Sequence, residues 1–147
     1  MSTAAIIGIK RGRTIRGIYC HNDGNLFGVG VTLNQEYNYE ARIHELINGG
    51  DISSLGIMLT PDPLYEHSFD NPQPGVTVFY HRDRGDNWED CQPMEVSTIK
   101  MFTNHIGIQY YYLFDTSVQA WKVYDGNGKL MGFLHNFVYG RNGYEGA

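Results

Sequence analysis

Three short runs rich in tyrosine, valine and leucine dominate the last third of the chain, and turn-forming residues separate them. They cover residues 108–114, 119–124 and 129–134, with DTS at 115–117 and DGNG at 125–128 between them. Aromatic and β-branched residues favour strands, whereas clusters of Asp, Asn and Gly favour tight turns. The spacing therefore predicts an antiparallel meander of three strands.

The N-terminal segment shows a similar pattern. Residues 4–10 and 14–21 are rich in isoleucine and flank Arg11, Gly12 and Arg13. Glycine adopts positive φ without strain, as tight hairpin turns require. These residues are predicted to form a β-hairpin.

Helical spacing follows the hairpin. Val29, Leu33 and Tyr37 recur every four residues, which predicts a short helix that begins near Gly28. A second helix is predicted over 40–48, because apolar residues lie on one face and a glycine pair follows.

The middle of the chain is less regular. Residues 51–74 contain four prolines and no sustained period, which indicates an ordered surface loop. Residues 76–81 predict a strand, and a charged turn follows at 82–86. Pro93 is expected to open a helix that runs to about residue 105.

These elements predict an α+β fold: a mainly antiparallel sheet with two or three short helices. The chain of 147 residues suits a single domain over 1–147, with residues 137–147 as a tail. That tail is aromatic but too glycine-rich to form a core element alone. We therefore expect a neighbouring subunit to hold it, in a homo-oligomer that is most simply a two-fold dimer.

Composition limits the classes of partner. The net charge of −5 argues against binding to a long nucleic acid. No segment has the length of a membrane span, so we expect no membrane partner and an intracellular location. Two cysteines are too few for a disulfide framework, and Cys20 is expected to be a buried thiol.

The loop HNDGNLFGVG at 21–30 concentrates His21, Asp23, Gly28 and Gly30 where the first helix should begin. Free N–H groups at a helix start attract anions, and glycines let a ligand approach the backbone. Tight packing of helix against sheet explains the same glycines without a ligand. The sequence leaves both interpretations open.

A second polar segment contains Tyr80, His81, Arg82 and Arg84, interleaved with aspartates. Arginine has a planar fork suited to phosphate, so the segment is a candidate anion site. An ion-pair ladder between these arginines and the aspartates is the structural alternative.

Other chemistry has less support. The histidines and aspartates of the two segments lack metal-ligand spacing, so no metal and no cofactor are predicted. No nucleophile elbow is present, and no catalytic residue is assigned. The aromatic residues of the meander alternate across the sheet, so half of them are expected either to be exposed for a partner or to be covered by a second layer.

The chain also resembles a family of small proteins common in bacteriophage and prophage genomes. The resemblance rests on YCHNDGNLFGVG, DISSLG, YHRDRGD and YYYLFD, which occur in the family's order. The chain departs from the family pattern at Asn22, where the family usually has Trp, and at Leu26-Phe27, where it has Pro-Glu. The resemblance implies a phage setting and a location in the host cytoplasm, and it implies no reaction.

Three hypotheses for function follow. The first is a non-enzymatic phage accessory protein that binds a host component or a small anionic, nucleotide-type ligand, as a counter-defence inhibitor or by sequestering a signal. The second is a small hydrolase of a phosphorylated metabolite or nucleotide, with His21 and Asp23 as acid–base groups. The third is an inhibitor of a host factor that acts only through protein contacts.

Overall fold

The computed structural model describes residues 2–102 and 106–139. Within these residues eight strands form one sheet: β1 Ala4–Arg11, β2 Thr14–Cys20, β3 Ile52–Ser54, β4 Val78–Phe79, β5 Met94–Val96, β6 Ile108–Asp115, β7 Ala120–Asp125 and β8 Leu130–Phe133. The α-helices of the same residues are α1 Val31–Glu36, α2 Glu40–Asn48, α3 Trp88–Cys91 and α4 His135–Tyr139. Helical turns at Leu26–Gly30, Tyr80–Arg84 and Ile99–Met101 complete the described elements.

The sheet has the strand order β4-β3-β2-β1-β6-β7-β8, and β5 also pairs with β2. Strand β1 pairs in parallel with β6, and β2 pairs in parallel with β3; the other pairs are antiparallel. The prediction of an α+β fold with a mainly antiparallel sheet is confirmed. The hairpin, with Gly12 at a φ of 62°, and the three-strand meander are also confirmed.

One face of the sheet, here called the helix face, carries the larger core. Side chains at alternate positions of β1, β2 and β6, such as Ile7, Ile18 and Tyr112, pack with Leu33 and Leu46 of the helices. The polar groups of two buried aromatic side chains on this face donate hydrogen bonds to backbone carbonyls. The Tyr112 hydroxyl donates to the Gly24 carbonyl at 2.7 Å, and the Trp121 indole N–H donates to the Tyr37 carbonyl at 2.8 Å.

The opposite face, here called the second face, has a smaller core. Ile6 and Leu113 of the sheet pack there with Val96 and Phe102, which cross the face from β5. Tyr111 is also buried on this face. The aromatic residues of the meander are therefore mostly covered, which favours the alternative of a second layer over an exposed aromatic row.

The start of the first helix differs in detail from the prediction. Helical backbone begins at Leu26 with a π-helical turn that continues into α1. The second helix occupies the predicted residues 40–48. The helix ends where Gly50 takes a left-handed φ of 84°, and glycine is required at 49 because a Cβ there would overlap the Phe79 ring.

Three predictions for the middle of the chain are wrong in part. Strand β3 interrupts the expected loop 51–74, because Ile52 is buried and pairs with both Cys20 and Phe79. The strand expected over 76–81 contains only Val78–Phe79. It ends because the Asp83 carboxylate accepts the Phe79 N–H at 2.8 Å and the chain turns into a π-helical turn.

The helix expected from Pro93 to about 105 is absent from the described part of that segment, 93–102. Met94–Val96 instead forms β5, which pairs with the first half of β2, and a 3-10 turn follows at Ile99–Met101. The apolar spacing that resembles a helix reflects burial of Val96 and Phe102 against the second face. Residues 103–105 lie outside the described residues, as do residues 140–147 of the expected tail. The first residues of that tail, 137–139, instead belong to α4, where Val138 is fully buried.

Candidate functional site

The glycine-rich loop between β2 and α1 folds back onto its own backbone. Asp23 is left-handed, with a φ of 58°, and its carbonyl oxygen accepts the Val29 N–H at 2.8 Å. A Cβ on Gly28 would lie 2.3 Å from that same oxygen. The close approach that requires glycine at position 28 is therefore made by the chain itself.

Gly30 lies where the π-helical turn crosses the sheet. A Cβ there would meet Leu134 at 3.4 Å and Tyr112 at 3.6 Å, which are ordinary contact distances. The N–H groups of Gly28 and Gly30 donate to the Asn25 carbonyl at 3.1 and 3.2 Å. Both amides are therefore engaged internally, which favours the packing interpretation of this loop over an anion site.

Arg82 is a structural cross-link. It donates to the Asp83 carboxylate at 2.7 and 2.9 Å, and to the carbonyls of Leu59 at 2.6 Å and Thr77 at 2.9 Å. Its guanidinium also stacks over the Phe79 ring, 4.8 Å from the centroid. These contacts join the π-helical turn to two other parts of the chain and occupy the donors that a phosphate would need.

Asp83 is the buried centre of this cluster. Its side chain is 3% exposed, and its carboxylate lies 3.1 Å from the His67 ring nitrogen Nε2. Burial acts to raise the pKa of Asp83, but hydrogen bonds from Arg82 and from the Phe79 N–H outweigh it and hold the pKa below its usual value. The carboxylate is therefore ionised and fully paired.

His67 connects the long loop to this carboxylate. The Gln73 N–H donates to His67 Nδ1 at 3.0 Å, so in the neutral ring the proton lies on Nε2, which faces Asp83. The pattern of the sequence did not single out His67. Its role depends on a contact with Asp83 that only the folded chain creates.

The charge of Arg84 is also balanced by a neighbouring aspartate. It makes a bidentate pair with Asp86, with both distances 2.8 Å, and it stacks over Tyr80 at 4.3 Å and Phe69 at 4.9 Å. The hydrogen bonds from Arg84 lower the pKa of Asp86. The ion-pair alternative therefore describes both arginines of the segment.

A polar cluster on the second face brings the two predicted segments together. The Tyr19 hydroxyl lies 2.8 Å from His21 Nδ1, and the Asn22 side chain donates to Ser53 Oγ at 3.1 Å. On the other side of β3, burial raises the pKa of Tyr80 while a hydrogen bond with Ser53 opposes that shift. Ser53 therefore links the start of the loop to the start of the turn.

The other predicted site residues lie elsewhere. His81 packs edge-on against Trp88 at 5.2 Å, and with Arg82 it lines a hollow beside α2, at the edge of the helix face. Asp23 is exposed in the loop, and the two glycines belong to the π-helical turn on the helix face, where Gly28 is half-buried and Gly30 is buried. The eight predicted residues are thus divided between two faces, and only His21, Tyr80 and Arg84 approach a common surface.

Among the residues that the structure describes, side chains suited to covalent or metal chemistry are not gathered into a site. Cys20 is fully buried, and burial raises the pKa of its thiol to about 12. In the described part of the chain, no group of three or more His, Cys, Asp or Glu side chains is placed to hold a metal ion.

A groove of about 420 Å³ lies elsewhere on the second face, between the sheet and the segment 97–100. We call it the Lys10–Lys100 groove. Its lining residues are Lys10, Ile15, Ser97, Thr98, Ile99, Lys100, Leu113, Tyr124 and Gly128. The sequence did not reveal this groove, because one wall belongs to the segment that was expected to be a helix.

The charged side chains that line this groove are both positive. Its described lining contains two lysines, three hydroxyl groups and no carboxylate. Neither lysine ammonium has an ion pair or hydrogen bond within the described residues. Asp115 pairs with Lys10 in the strand register, but its carboxylate is taken by Lys122 at 3.0 Å and by Ser117. These hydrogen bonds overcome the opposing effect of burial and hold the pKa of Asp115 at about 2.

No family model, curated protein or solved structure matches the chain. No helix in the described ranges has the length and apolar character needed to cross a bilayer. The interpretation of function therefore rests on the geometry and charges of this molecule.

The two loop glycines should respond differently to substitution. Gly28→Ala should lower the free energy of unfolding by about 1–3 kcal/mol, because its methyl group would overlap the Asp23 carbonyl. Gly30→Ala should change it by less than about 1 kcal/mol, since space exists and alanine favours helix. Urea denaturation followed by circular dichroism measures both. Equal effects would contradict the proposed packing.

The Asp83 carboxylate should account for part of the decrease in the free energy of unfolding at acid pH. Because folding lowers its pKa, its contribution is complete above its unfolded pKa of about 4 and is lost as pH falls through the folded value. Asp83→Asn should lower the free energy of unfolding at pH 7 by about 1–3 kcal/mol and flatten its decline below about pH 4. Urea titrations across pH test this. The control Asp86→Asn, at an exposed pair, should cost less than about 1 kcal/mol; an equal loss in both variants would contradict the buried role.

Proposed function

We propose that this chain is a non-enzymatic binding protein for a small anionic ligand with an aromatic body, of nucleotide type, held in the Lys10–Lys100 groove. The observation that carries the proposal is a pair of lysines, Lys10 and Lys100, that have no ion pair among the described residues and lie beside an apolar floor. The class of ligand is the one predicted from the sequence. Its proposed binding site is now the groove, in place of the polar segments 21–30 and 80–86.

The electrostatics support an anion. The whole chain has a net charge of −5, yet the groove lining is positive. A cationic concavity with apolar walls concentrates field lines and attracts small anions. By contrast, Arg82 and Arg84 already face aspartates, so a phosphate there would have to displace a carboxylate.

The walls of the groove support an aromatic or apolar body on the ligand. Ile15, Ile99 and Leu113 present aliphatic surface, and Tyr124 contributes a ring. Pockets for small ligands combine such surface with a few polar groups that fix orientation. In binding sites for single-stranded nucleic acids, stacking of one base on an aromatic ring contributes about 1–3 kcal/mol to the binding free energy.

The phage resemblance supplies the setting that we propose. In the host cytoplasm, a protein that binds a nucleotide signal without consuming it would sequester that signal from host defence. The alternative within this hypothesis, binding of a host component, uses a different part of the surface.

A binding experiment tests the proposed ligand class. Nucleoside monophosphates, cyclic dinucleotides and inorganic phosphate are screened by thermal shift, and positive compounds are measured by calorimetry. Lys10→Ala and Lys100→Ala should each weaken binding about tenfold, a change of about 1.4 kcal/mol. Lys129→Ala, an exposed lysine outside the groove, should leave the dissociation constant unchanged. Failure of every nucleotide to bind, or an equal loss in the Lys129 variant, would contradict the proposal.

The hydrolase hypothesis retains one supporting observation. The Tyr19 hydroxyl fixes His21 through Nδ1, which leaves Nε2 directed away from that bond, as a general base requires. Mass spectrometry of the ligand after incubation, with and without divalent metal ions, distinguishes the two functions. An intact ligand supports binding alone. Turnover lost in His21→Ala but retained in His135→Ala supports the enzyme.

We also propose that the protein is a homo-oligomer. Strand β8 ends the described strand order, and Leu130 and Met131 on it are 51% and 37% exposed. An edge strand with apolar side chains is suited to pairing with a second copy across a two-fold axis.

Light scattering tests the assembly. The wild type should have twice the 16.7 kDa mass of one chain at micromolar concentration. Leu130→Glu should convert it to a monomer, because a charge would lie in the paired edge, whereas Val118→Glu on the β6–β7 turn should not. A monomeric wild type would exclude the proposed dimer.

A further inference from the structure

The long segment between β3 and β4 is an ordered loop organised by one glutamine. The Gln73 amide donates to the carbonyls of Asp62 at 2.9 Å and Tyr65 at 3.1 Å, and it accepts the Asp62 N–H at 2.9 Å. The Asp62 carboxylate in turn accepts the Leu64 N–H at 3.0 Å. These bonds fix the backbone that carries Leu64 and Tyr65.

The loop is also fastened to the body of the protein. His67 meets the buried Asp83 carboxylate, and the Phe69 N–H donates to the Asp83 carbonyl at 3.0 Å. At its base, Met58 exchanges backbone hydrogen bonds with the neighbourhood of β4, at 2.9 and 2.8 Å. The loop therefore has a defined shape although it contains little regular secondary structure.

This ordered loop exposes large apolar side chains. Leu64 is 83% exposed, Tyr65 70% and Met58 49%. Met58 and Tyr65 line a hollow of about 520 Å³ together with Pro72 and Pro74. Apolar side chains held out from a fixed backbone are typical of protein interfaces, because little backbone conformational entropy is lost when they are buried.

The charges around these side chains select the partner. Asp62 and Glu66 line the hollow with Tyr65, Asp70 follows in the chain, and residues 55–76 contain no Lys or Arg. The Arg42 guanidinium donates to the Ile57 carbonyl at the base of the loop. A partner that buries the apolar side chains must place its own rim against these carboxylates. A basic rim is therefore favoured and an acidic rim is excluded by repulsion.

We infer that this surface, formed by Met58, Leu64, Tyr65 and the flanking carboxylates, is a docking site for a protein whose apolar pocket is bordered by Lys or Arg. Leu64 and Tyr65 are the anchors that enter the pocket, and the hollow beside Tyr65 receives an apolar side chain of the partner. The inference is independent of the small ligand, since the Lys10–Lys100 groove shares none of these residues.

Selection of a random-peptide display library on the immobilised full-length protein tests this inference. Enriched peptides should combine Lys or Arg with Trp, Phe or Leu. The affinity of the best synthetic peptide, measured by fluorescence anisotropy, should fall about tenfold or more in Leu64→Ser and in Tyr65→Ser. Val118→Ser, an exposed apolar residue elsewhere, is the matched control and should bind as the wild type does.

Variants that neutralise carboxylates form the second part of the experiment. The Glu66→Gln, Asp70→Asn double variant should weaken binding and reduce its dependence on salt, whereas Glu89→Gln on α3 should not. Circular dichroism confirms that each variant is folded. The inference is overturned if no peptide is enriched, if enriched peptides lack basic residues, or if Leu64→Ser binds with unchanged affinity. It is also overturned if Leu64→Ser dissolves a wild-type dimer, since the occupant would then be a second copy.

Discussion

Burial of β1 on both faces is the constraint on which the rest of the fold depends. Ala4, Ala5, Ile6, Ile7 and Ile9 are all nearly inaccessible to water, although neighbouring positions point to opposite faces. Both faces must therefore be covered. The helices cover one, and the segment from β5 to Phe102 covers part of the other. The Lys10–Lys100 groove forms on this second face, where residues 97–100 of that segment meet the sheet.

The distance along the chain between paired strands explains which predictions from the sequence succeeded. The hairpin and the meander were predictable because each strand is joined to its partner by a local turn, such as the one at Gly12. Strand β3 has only three residues, and its pairing with Cys20 and Phe79 connects distant parts of the chain. The spacing of Val96 and Phe102 fits a helix as well as a segment laid along a sheet. Burial alone distinguishes those two structures.

The candidate sites follow a similar division. The polar residues of 21–30 and 80–86 were identified from the sequence, and an ion-pair ladder of the arginines with their neighbouring aspartates was one of its two interpretations. The partners that are distant in the chain, such as His67 beside Asp83, were not identified. The Asn25 carbonyl occupies the glycine amides, and Asp83 and Asp86 occupy the arginines. Lys10 and Lys100 are unremarkable in sequence because they are far apart in the chain. Uncompensated charge, rather than the density of polar residues, therefore distinguishes a binding surface from a structural network.

The parallel pairing of β1 with β6 has a consequence for how the chain reaches this structure. Strand β1 leaves the ribosome long before its second neighbour, β6, so one edge of the β1–β2 hairpin stays unpaired until β6 has been synthesised. Contacts between such distant segments make folding slow and leave an apolar edge exposed meanwhile. Lys10 and Arg11 lie at the end of β1, where their charges oppose pairing of that edge with another nascent chain.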